Sequence, residues 1–456
     1  MSKTTAGHLT ASAEGRHPKG LYVLFAAEMW ERFSFYTMLA MFTLYLRDGT
    51  EGFGWSAADA TTLYSNYLTF IFLSPLVGGL IADRVTGYRK AVMIGGLFFI
   101  AGHLLLALGS VSAIYAALTC LVIGNGFFKP NVSTMVGNLY PEGSHLKDRA
   151  YNIFYMGINL GGLLAPLVAG WVRSKFGFHP AFGVAAGGMV ISVWIIAQFR
   201  KQIEAPKTDR AAPLTALPKP TEISQRELLE AVPEWRRIAA LLVIFAVVVV
   251  FWMAFHQNGS TLTYWADANT DWTIFFSPET AKESGGIISN AINPFWIITL
   301  TFPLVAFWKW LDRRGLEPST PAKMALGMTL TAASFFILFA AAKVGEASAA
   351  AGDPYAFKVS PLWLISAYFT VTLGELMLSP MGLSLVSQVA PVRLRGLMMG
   401  SWSFAVAVGN KLSQIGVYWE RWQHSSFFAV LGGLALVMAV VLFLLLRPLK
   451  RSMPGV

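Results

Sequence analysis

Long runs of apolar residues recur along the whole chain, and short polar segments separate them. A hydrocarbon core about 30 Å thick is crossed by about 20 helical residues, so each run is long enough to span a membrane as a helix. The pattern predicts an all-α membrane protein with twelve spans in two groups of six. The spans cover residues 21–46, 57–83, 91–109, 113–140, 150–172 and 179–199, followed by 237–265, 286–311, 322–344, 360–390, 395–420 and 425–446.

The segment between the two groups, residues 200–236, is polar and contains five prolines that oppose a long helix. It predicts a linker between two bundles, as in major facilitator transporters. We therefore expect five regions. They are a cytoplasmic tail (1–20), a six-helix bundle (21–199), a cytoplasmic linker (200–236), a second six-helix bundle (237–446) and a cytoplasmic tail (447–456).

Composition supports the membrane assignment. Of the 456 residues, 55% are hydrophobic and 13% are charged, whereas soluble domains carry about 25% charged residues. Soluble globular, disordered and fibrous classes are therefore excluded. The single cysteine, Cys120, cannot form an intrachain disulfide, and it offers no basis for a redox or cysteine–metal site.

The Lys and Arg residues indicate the orientation. With the N-terminus inside, 25 of them lie in segments predicted to be cytoplasmic and 7 in segments predicted to be outside. By the positive-inside rule, both termini face the cytoplasm of an inner-membrane protein. The net charge of +10 therefore reports topology and gives no support to nucleic-acid binding.

Four charged residues of the first group lie well inside predicted spans, away from the span ends, where insertion of each costs about 2.5–3.5 kcal/mol. Glu28 and Arg32 can pair at i, i+4 on the first span. Glu31 adds a second carboxylate beside the same cation, which favours a shared or labile proton. Lys129, on the fourth span, requires a carboxylate partner, and Glu28 and Glu31 are the candidates. The alternative is a static ion network that stabilises the fold.

The second group contributes Glu375, which has no cation near it in sequence, and Pro380 is expected to interrupt its helix. Such a carboxylate either faces a ligand amine or is protonated and hydrogen-bonded to a neighbouring helix. Cations in one half and an anion in the other predict a zwitterionic ligand, with Asn159 and Asn293 suited to a peptide bond. Aromatic residues that could form pocket walls, or merely pack, are Tyr36, Tyr64, Tyr67, Phe72, Trp296 and Trp402.

Two segments carry a family resemblance. Glu28–Tyr36 resembles the ExxERFxYY signature of the proton-dependent oligopeptide transporter family, and Phe154–Gly161 is similar to its FYxxINxG signature. Further similar segments follow in the expected order over nearly the whole chain. They are Gly126 with Lys129–Asn131, Asn293–Pro294, Arg314–Ser319 and Gly374–Pro380.

The resemblance implies the major facilitator fold and proton-driven import of di- and tripeptides by alternating access. It implies no enzymatic activity and no cofactor beyond the coupling proton. Proton coupling would fall to Glu28, Glu31, Arg32 and Lys129. Arg32 and Lys129 would bind the peptide carboxylate, Glu375 the amino terminus, and Asn159 and Asn293 the backbone. The remaining expected substrate contacts are Tyr36, Tyr64, Phe72, Ser379 and Trp402. Expected partners are small peptides and the lipid bilayer, without nucleic acid or an obligatory protein partner, and we expect a monomer.

The chain also departs from the family pattern. Phe35 replaces the first tyrosine of the YY pair. Many members pair a Glu of the seventh span with an Arg of the first, whereas this chain has His256 and Leu39 at those positions. His256 could take over part of the proton handling, because imidazole titrates near neutral pH, or be an ordinary cavity histidine. Lys411 is expected to have a secondary role, whether it lines the cavity or pairs with a glutamate.

Other functions receive less support from the residues. A carrier for nitrate or an organic anion is the main alternative, but Glu375 would then sit opposite a bare anion. An enzyme is disfavoured because no nucleophile–base pair or metal cluster appears in the sequence. A receptor lacks an output domain, and a channel explains the charge pairs at midplane less well than a gated carrier.

Overall fold

The computed structural model of the chain describes residues 17–140, 146–203, 228–349 and 353–454, and these are helical almost throughout. Twelve helices in these ranges have 18 or more residues. They are α1 (Lys19–Arg47), α2 (Ala57–Ile81), α3 (Tyr88–Leu106), α4 (Val111–Asn138), α5 (Leu146–Phe176), α6 (Phe178–Gln198) and α7 (Glu234–Phe255), then α10 (Ile292–Asp312), α11 (Thr320–Ser348), α12 (Pro361–Val389), α13 (Arg395–Leu412) and α14 (His424–Ser452). Two shorter helices, α8 (Thr261–Ala268) and α9 (Pro278–Ile288), lie between α7 and α10.

Each of the twelve predicted spans coincides with one of these long helices. Among the described residues, ten helical segments are long and apolar enough to cross a membrane by length and composition. The two other long helices are α1, which contains Glu28, Glu31 and Arg32, and α13, which begins at Arg395 and carries Lys411. Their polarity reflects the intramembrane charges that the sequence had already singled out.

Several predicted spans differ from the helices in detail. The seventh span is not continuous, because α7 ends at Phe255 and a 3-10 turn over His256–Gly259 precedes α8. The eighth is divided by a 3-10 turn over Ser289–Ala291. The predicted interruption at Pro380 is wrong, since α12 is helical over Pro361–Val389. A proline removes one backbone hydrogen bond, and neighbouring helices allow a membrane helix to continue through that loss.

The chain divides into two compact units. The first contains the described parts of Met1–Met38, Ser74–Val168 and Phe176–Leu217, and the second those of Leu39–Leu73, Ala169–Lys175 and Pro218–Val456. Helices α1, α2 and α5 therefore each contribute to both units. The predicted domain limits stay a prediction, and most of the predicted linker, like most of the N-terminal tail, lies outside the described residues.

Glycine pairs allow close helix crossings in both units. In the first unit, a Cβ on Gly95 of α3 would lie 2.7 Å from the carbonyl oxygen of Gly124 on α4. In the second unit, a Cβ on Gly327 of α11 would lie 2.8 Å from the carbonyl oxygen of Gly374 on α12. Neither crossing leaves room for a side chain at the contact. The second crossing fixes the backbone directly before Glu375.

The second unit has an extensive apolar core. Helices α7, α11, α12, α13 and α14 contribute fully buried side chains such as Phe251, Met328 and Val386. Nearer α8, Trp265 packs against Phe357 and Phe428, with ring centroids 5.7 and 5.2 Å apart. Burial of aromatic and branched side chains on this scale makes the unit a rigid support for the few polar groups inside it.

Candidate functional site

The first unit contains a buried ion cluster on α1. Arg32 donates from Nε and Nη2 to the two oxygens of Glu31, at 2.5 and 2.7 Å. Its Nε also lies 3.3 Å from Glu28 Oε1, so the predicted pair at i, i+4 is present. Glu28, Glu31 and Arg32 are at most 4% exposed. A two-pronged contact of this kind is among the strongest that side chains make, and it holds one guanidinium between two carboxylates.

Helix α5 holds this part of α1 in place. A Cβ on Gly161 would lie 2.9 Å from the backbone nitrogen of Phe33 and 3.0 Å from Arg32 Cβ. One turn earlier, a Cβ on Gly157 would lie 3.0 Å from the ring of Phe25. The glycines of the FYxxINxG segment therefore let α5 approach the backbone of the charged turn. The two segments that carry the family resemblance pack directly against each other.

Lys129 of α4 completes the cluster electrostatically. It interacts by charge with Glu28, Glu31 and Arg32, as the sequence predicted for a lysine in this position. Within the described ranges, Glu28 Oε2 is buried and accepts no hydrogen bond. A protonated carboxyl oxygen can donate as well as accept a hydrogen bond, so this unsatisfied oxygen is a candidate position for the coupling proton.

Other predicted residues of the first unit lie around the cluster. Tyr36 is half-buried, and its ring meets Phe35 edge to face at 5.2 Å. The Arg32 guanidinium lies 5.0 Å from the centre of the Phe35 ring, so the substitution in the YY pair retains a ring beside the cation. Asn159 is buried and donates from Nδ2 to the carbonyl oxygen of Tyr155 at 3.0 Å.

Glu375 is the buried carboxylate of the second unit. It is 8% exposed, and Asn293 Nδ2 donates to its Oε2 at 2.9 Å. The same nitrogen donates to Thr372 Oγ1 at 2.9 Å. In the part of the chain that the structure describes, no basic side chain forms an ion pair with Glu375. The structure thus places two of the predicted peptide-binding residues, Asn293 and Glu375, in direct contact.

His256 lies among aromatic rings. It stacks on Trp252 with centroids 5.1 Å apart, and Phe72 meets it edge-on at 5.9 Å. The 3-10 turn that follows α7 presents the imidazole to these rings. The structure therefore brings together two residues, His256 and Phe72, that were predicted separately for coupling and for substrate contact.

Two predicted wall residues are packed inside the second unit. Tyr64 is 1% exposed, and a Cβ on Gly259 would overlap its hydroxyl. Trp402 is 7% exposed and lies 6.3 Å from Phe245, edge to face. Ser379 is half-buried on α12. Lys411 donates to Asn66 Oδ1 at 2.5 Å, so its contact is an amide rather than the glutamate considered from the sequence.

A group of ion pairs was missed from the sequence. Arg47 Nη2 lies 2.8 Å from Glu420, whereas Arg173 lies 3.6 Å from Asp48 and also pairs with Glu283. These residues were counted only as loop charges on the side predicted to be outside. Their partners are far apart in sequence, and neither spacing nor periodicity marks such pairs. We call Arg47, Asp48, Arg173, Glu283 and Glu420 the outer charge cluster.

Asp48 shows how tightly this cluster is organised. Burial opposes its charged form, but hydrogen bonds from the Thr50 hydroxyl and from the backbone nitrogens of Thr50 and Glu51 favour it, and the charge of Arg173 adds to them. The balance lowers the pKa of Asp48 below its ordinary value. The carboxylate is therefore held ionised next to Arg173.

Long apolar helices with charges buried inside both units define the class: this is an all-helical integral membrane carrier of the major facilitator type, and it is a transporter rather than an enzyme. The model of the POT family (PTR2) matches residues 89–216 and 199–426. The chain belongs to that family, as the two signature segments indicated.

Relatives and solved structures agree with this assignment. The peptide transporter YePEPT of Yersinia enterocolitica is 32% identical, and the match covers 96% of this chain and 95% of the relative. The di-/tripeptide transporter of Lactococcus lactis (strain IL1403) is 29% identical, with 96% and 97% covered. A crystal structure of the peptide transporter POT in complex with sulfate is 30% identical, with a TM-score of 0.83 and 96% of both chains covered. This likeness confirms the predicted fold class.

Proposed function

We propose that the protein is a proton-coupled symporter that imports di- and tripeptides by alternating access. The observation that carries the proposal is the buried cluster in which Arg32 is held between Glu28 and Glu31, next to Lys129. The names of relatives such as the di-/tripeptide transporter of Lactococcus lactis support the choice of substrate. The loop charges support both termini in the cytoplasm.

The cluster suggests how a proton is coupled to substrate. Two carboxylates and two cations balance, so one added proton leaves an excess positive charge. Protonation at Glu28 or Glu31 would weaken its attraction for Arg32 and Lys129, and an incoming peptide carboxylate would replace the lost negative charge. Peptide release and deprotonation would restore the internal pairs. Only a proton whose affinity differs between the two facing states can drive such a cycle.

The other end of the peptide would be bound in the second unit. Glu375 is the buried carboxylate that suits an ammonium group, and its contact with Asn293 holds it in one orientation. We propose that Asn159 and Asn293 bind the peptide backbone. Tyr36, Tyr64, Phe72, Ser379 and Trp402 would contact side chains, and His256 would take part in proton handling through its place beside Phe72.

Proton-driven uptake into liposomes tests the coupling step. Glu31→Gln keeps the size of the side chain and removes its charge and its ability to take up a proton. We expect this variant to exchange labelled dipeptide in counterflow but to lose accumulation against a gradient. The matched control is Glu230→Gln, at an exposed position, which should accumulate peptide normally. Accumulation by Glu31→Gln at the level of the unmodified protein would refute the coupling role.

Competition distinguishes peptides from the alternative of nitrate or an organic anion. A free dipeptide should compete with uptake, whereas its N-acetylated form should compete weakly, because it lacks the ammonium group for Glu375. Equal competition by both forms, or by nitrate, would favour an anion carrier.

A further inference from the structure

The outer end of α1 contacts the turn after α7 without any charged group. "Outer" denotes the side that the loop charges predict to face outside. Thr43 Oγ1 donates to the carbonyl oxygen of Gly259 at 2.8 Å, in a buried position. This contact lies one turn from Leu39 and close to His256, the two positions at which the sequence departs from the ion pair of the family pattern described above. A neutral hydrogen bond thus occupies the region from which both charges are absent.

Helix α5 makes a second neutral contact on the same side. Ser284 of α9 donates from its hydroxyl to the carbonyl oxygen of Gly170 at 2.6 Å. A Cβ on Gly170 would lie 2.7 Å from Ile288 Cγ1 and 3.3 Å from Ser284 Cβ. Because residue 170 is a glycine, the backbone of α5 approaches α9 more closely than a residue with a side chain would allow.

Helix α2 makes a third neutral contact on this side. The Tyr64 hydroxyl fills the space in front of Gly259, where a Cβ would overlap it. Nearby, Thr61 Oγ1 lies 3.3 Å from the hydroxyl of Tyr264. A Cβ on Gly416 would lie 2.9 Å from Thr61 Cγ2. Hydroxyl groups and glycines create this close fit, and the Arg47 guanidinium lies 4.4 Å from the centre of the Tyr264 ring.

The outer charge cluster links the end of α1 to α5 and α5 to α9, and so involves the same helices as these contacts. Its side chains are between 13% and 45% exposed, and ion pairs at that exposure stabilise weakly one by one. Arg173 is the least exposed basic residue of the cluster, and it pairs with acidic groups that follow α1 and belong to α9. The ion pairs of the outer charge cluster therefore add to a closure that already depends on the buried neutral contacts.

We propose that the outer entrance of this carrier is closed by the neutral contacts of Thr43 with Gly259 and of Ser284 with Gly170, in place of an ion pair between α1 and α7. The outer charge cluster, with Arg173 at its centre, strengthens this closure at the rim. The inference rests on the proposed function, because a closure of this kind has a role only in a carrier with alternating access.

The neutral hydrogen bond between Thr43 and Gly259 affects which residues serve coupling and which serve closure. A hydrogen bond between a hydroxyl and a carbonyl forms and breaks without the gain or loss of a charge, and its partners remain neutral when it opens. The closing contact therefore leaves no unpaired ion behind in the open state, unlike a broken buried ion pair. Coupling at the ion cluster and closure would then use different residues, with Glu28 and Glu31 in the first role and Thr43 and Gly259 in the second, whereas His256 would handle protons within the closing turn itself.

A buried cysteine reports whether the entrance is closed. Ser260 is fully buried next to Gly259, and its hydroxyl has no hydrogen-bond partner among the described residues, so Ser260→Cys is a mild change. In a Cys120→Ser background it supplies the sole thiol. Its rate of reaction with a membrane-impermeant maleimide, added on the outer side of proteoliposomes, measures opening of the contact.

Two substitutions should open the entrance. Thr43→Val removes the hydroxyl at nearly constant volume, and Gly259→Ala places a methyl group against Tyr64. We expect each to speed labelling of the Ser260→Cys thiol by about tenfold, equivalent to a shift of about 1.4 kcal/mol between closed and open states. The control is Gly433→Ala, the same change at a glycine with open space around it, which should label slowly. Tyr64→Leu combined with Gly259→Ala should restore slow labelling.

The outcomes separate the inference from the proposed substrate. Unchanged labelling in both Thr43→Val and Gly259→Ala would overturn the neutral closure. Faster labelling without any dipeptide uptake by the unmodified protein would support the closure and reject the proposed function. A second reporter, Ser192→Cys, replaces a side chain that is fully buried in the first unit. If a variant also speeds labelling of the Ser192→Cys thiol, that variant has unfolded. If this happens with Gly259→Ala, the result for the more conservative Thr43→Val tests the closure.

Discussion

At the scale of single residues, the contact between Asn293 and Glu375 is the basis of the proposed recognition of the peptide amino terminus. The amide holds one carboxylate oxygen at 2.9 Å, which leaves the other oxygen for a ligand. A hydrogen bond to a charged group contributes about 1.5–3 kcal/mol. Recognition of an amino terminus by Glu375 would therefore account for a large part of the affinity of a small ligand.

Glu375→Gln tests this recognition. We expect the half-saturation concentration for a dipeptide to rise roughly tenfold to hundredfold, since the charge-assisted bond of about 1.5–3 kcal/mol is lost. Weak inhibition by the N-acetylated dipeptide should stay nearly the same, because that ligand has no ammonium group. Uptake assays over a range of concentrations measure both values. An equal loss for the two ligands would show that Glu375 acts on the structure instead.

Asp48 provides a pH-dependent prediction. Its pKa is lowered in the folded protein, so the carboxylate adds stability above its unfolded pKa of about 3.9, and that stability is lost as the pH falls through the folded pKa. Asp48→Asn should therefore lower the unfolding temperature at pH 7, and the difference should shrink as the pH falls below about 3.9 and disappear once the pH is below the folded pKa. Thermal unfolding in detergent at several pH values checks this. A difference that persists at the lowest pH would mean that the amide disrupts packing.

The sequence was informative about residues whose chemistry conflicts with lipid. Glu28, Arg32 and Glu375 stood out because a charge inside an apolar run requires a partner or a ligand, and the structure shows the partners of all three. The bond from Thr43 to Gly259 could not be predicted, since a threonine and a glycine are unremarkable in any helix and their contact joins residues 216 positions apart.

At the scale of secondary-structure elements, the packing of α1 against α5 is the contact that positions the ion cluster. Gly161 faces the backbone of Phe33 and the side chain of Arg32 at about 3 Å. Any larger residue on α5 would push the charged turn away, because packed interiors respond to even one added methyl group.

Gly161→Val should therefore be destabilising. Overpacking costs typically about 1–3 kcal/mol, and we expect a lower unfolding temperature together with lost accumulation of peptide. The control is Gly187→Val on α6, where a Cβ would have open space around it. Thermal unfolding of both variants in detergent makes the comparison. Similar losses for both would attribute the effect to valine in a helix rather than to the contact between α1 and α5.

The elements themselves were largely predictable. Hydrophobic length located all twelve long helices, because a span must hide its backbone polar groups by forming a helix. The breaks were less predictable. The α-helix is interrupted at His256–Gly259, which contains no proline, whereas the chain remains helical through Pro380. The presence of proline therefore predicts neither result. Tertiary contacts, such as the packing of Tyr64 on Gly259, decide where a helix ends.

At the scale of the whole molecule, topology is the property that the sequence states most directly. The excess of Lys and Arg on one side predicts that both termini and the segment 200–236 face the cytoplasm. A single cysteine placed at Lys207 or at Arg421, in a Cys120→Ser background, tests this in intact cells. An impermeant maleimide should label the second position only. Labelling at residue 207 from outside would show that the orientation is the opposite of the prediction, and the side called outer would then face the cytoplasm.

The grouping of the chain into units was not foreseen. The division at the linker stays a prediction, and the contacts of the folded chain group the outer parts of α1, α2 and α5 with the C-terminal helices. The reason is physical, since Thr43, Thr61 and Gly170 make their closest contacts with residues more than 100 positions later. Contacts of that range leave no trace in local periodicity.

The buried charges also determine how the membrane voltage acts on the proposed cycle. With their side chains ionised, Glu28, Glu31, Arg32 and Lys129 sum to zero, so the residues proposed to bind the proton and the two ends of the peptide together hold one negative charge in the empty carrier, on Glu375. A proton together with a zwitterionic peptide brings this sum to zero. An inside-negative potential then does little work on the loaded carrier and drives the empty one outward, with up to about 2.3 kcal/mol available per 100 mV if the charge crosses the whole field. The cell's voltage would thus reset the transporter through one glutamate.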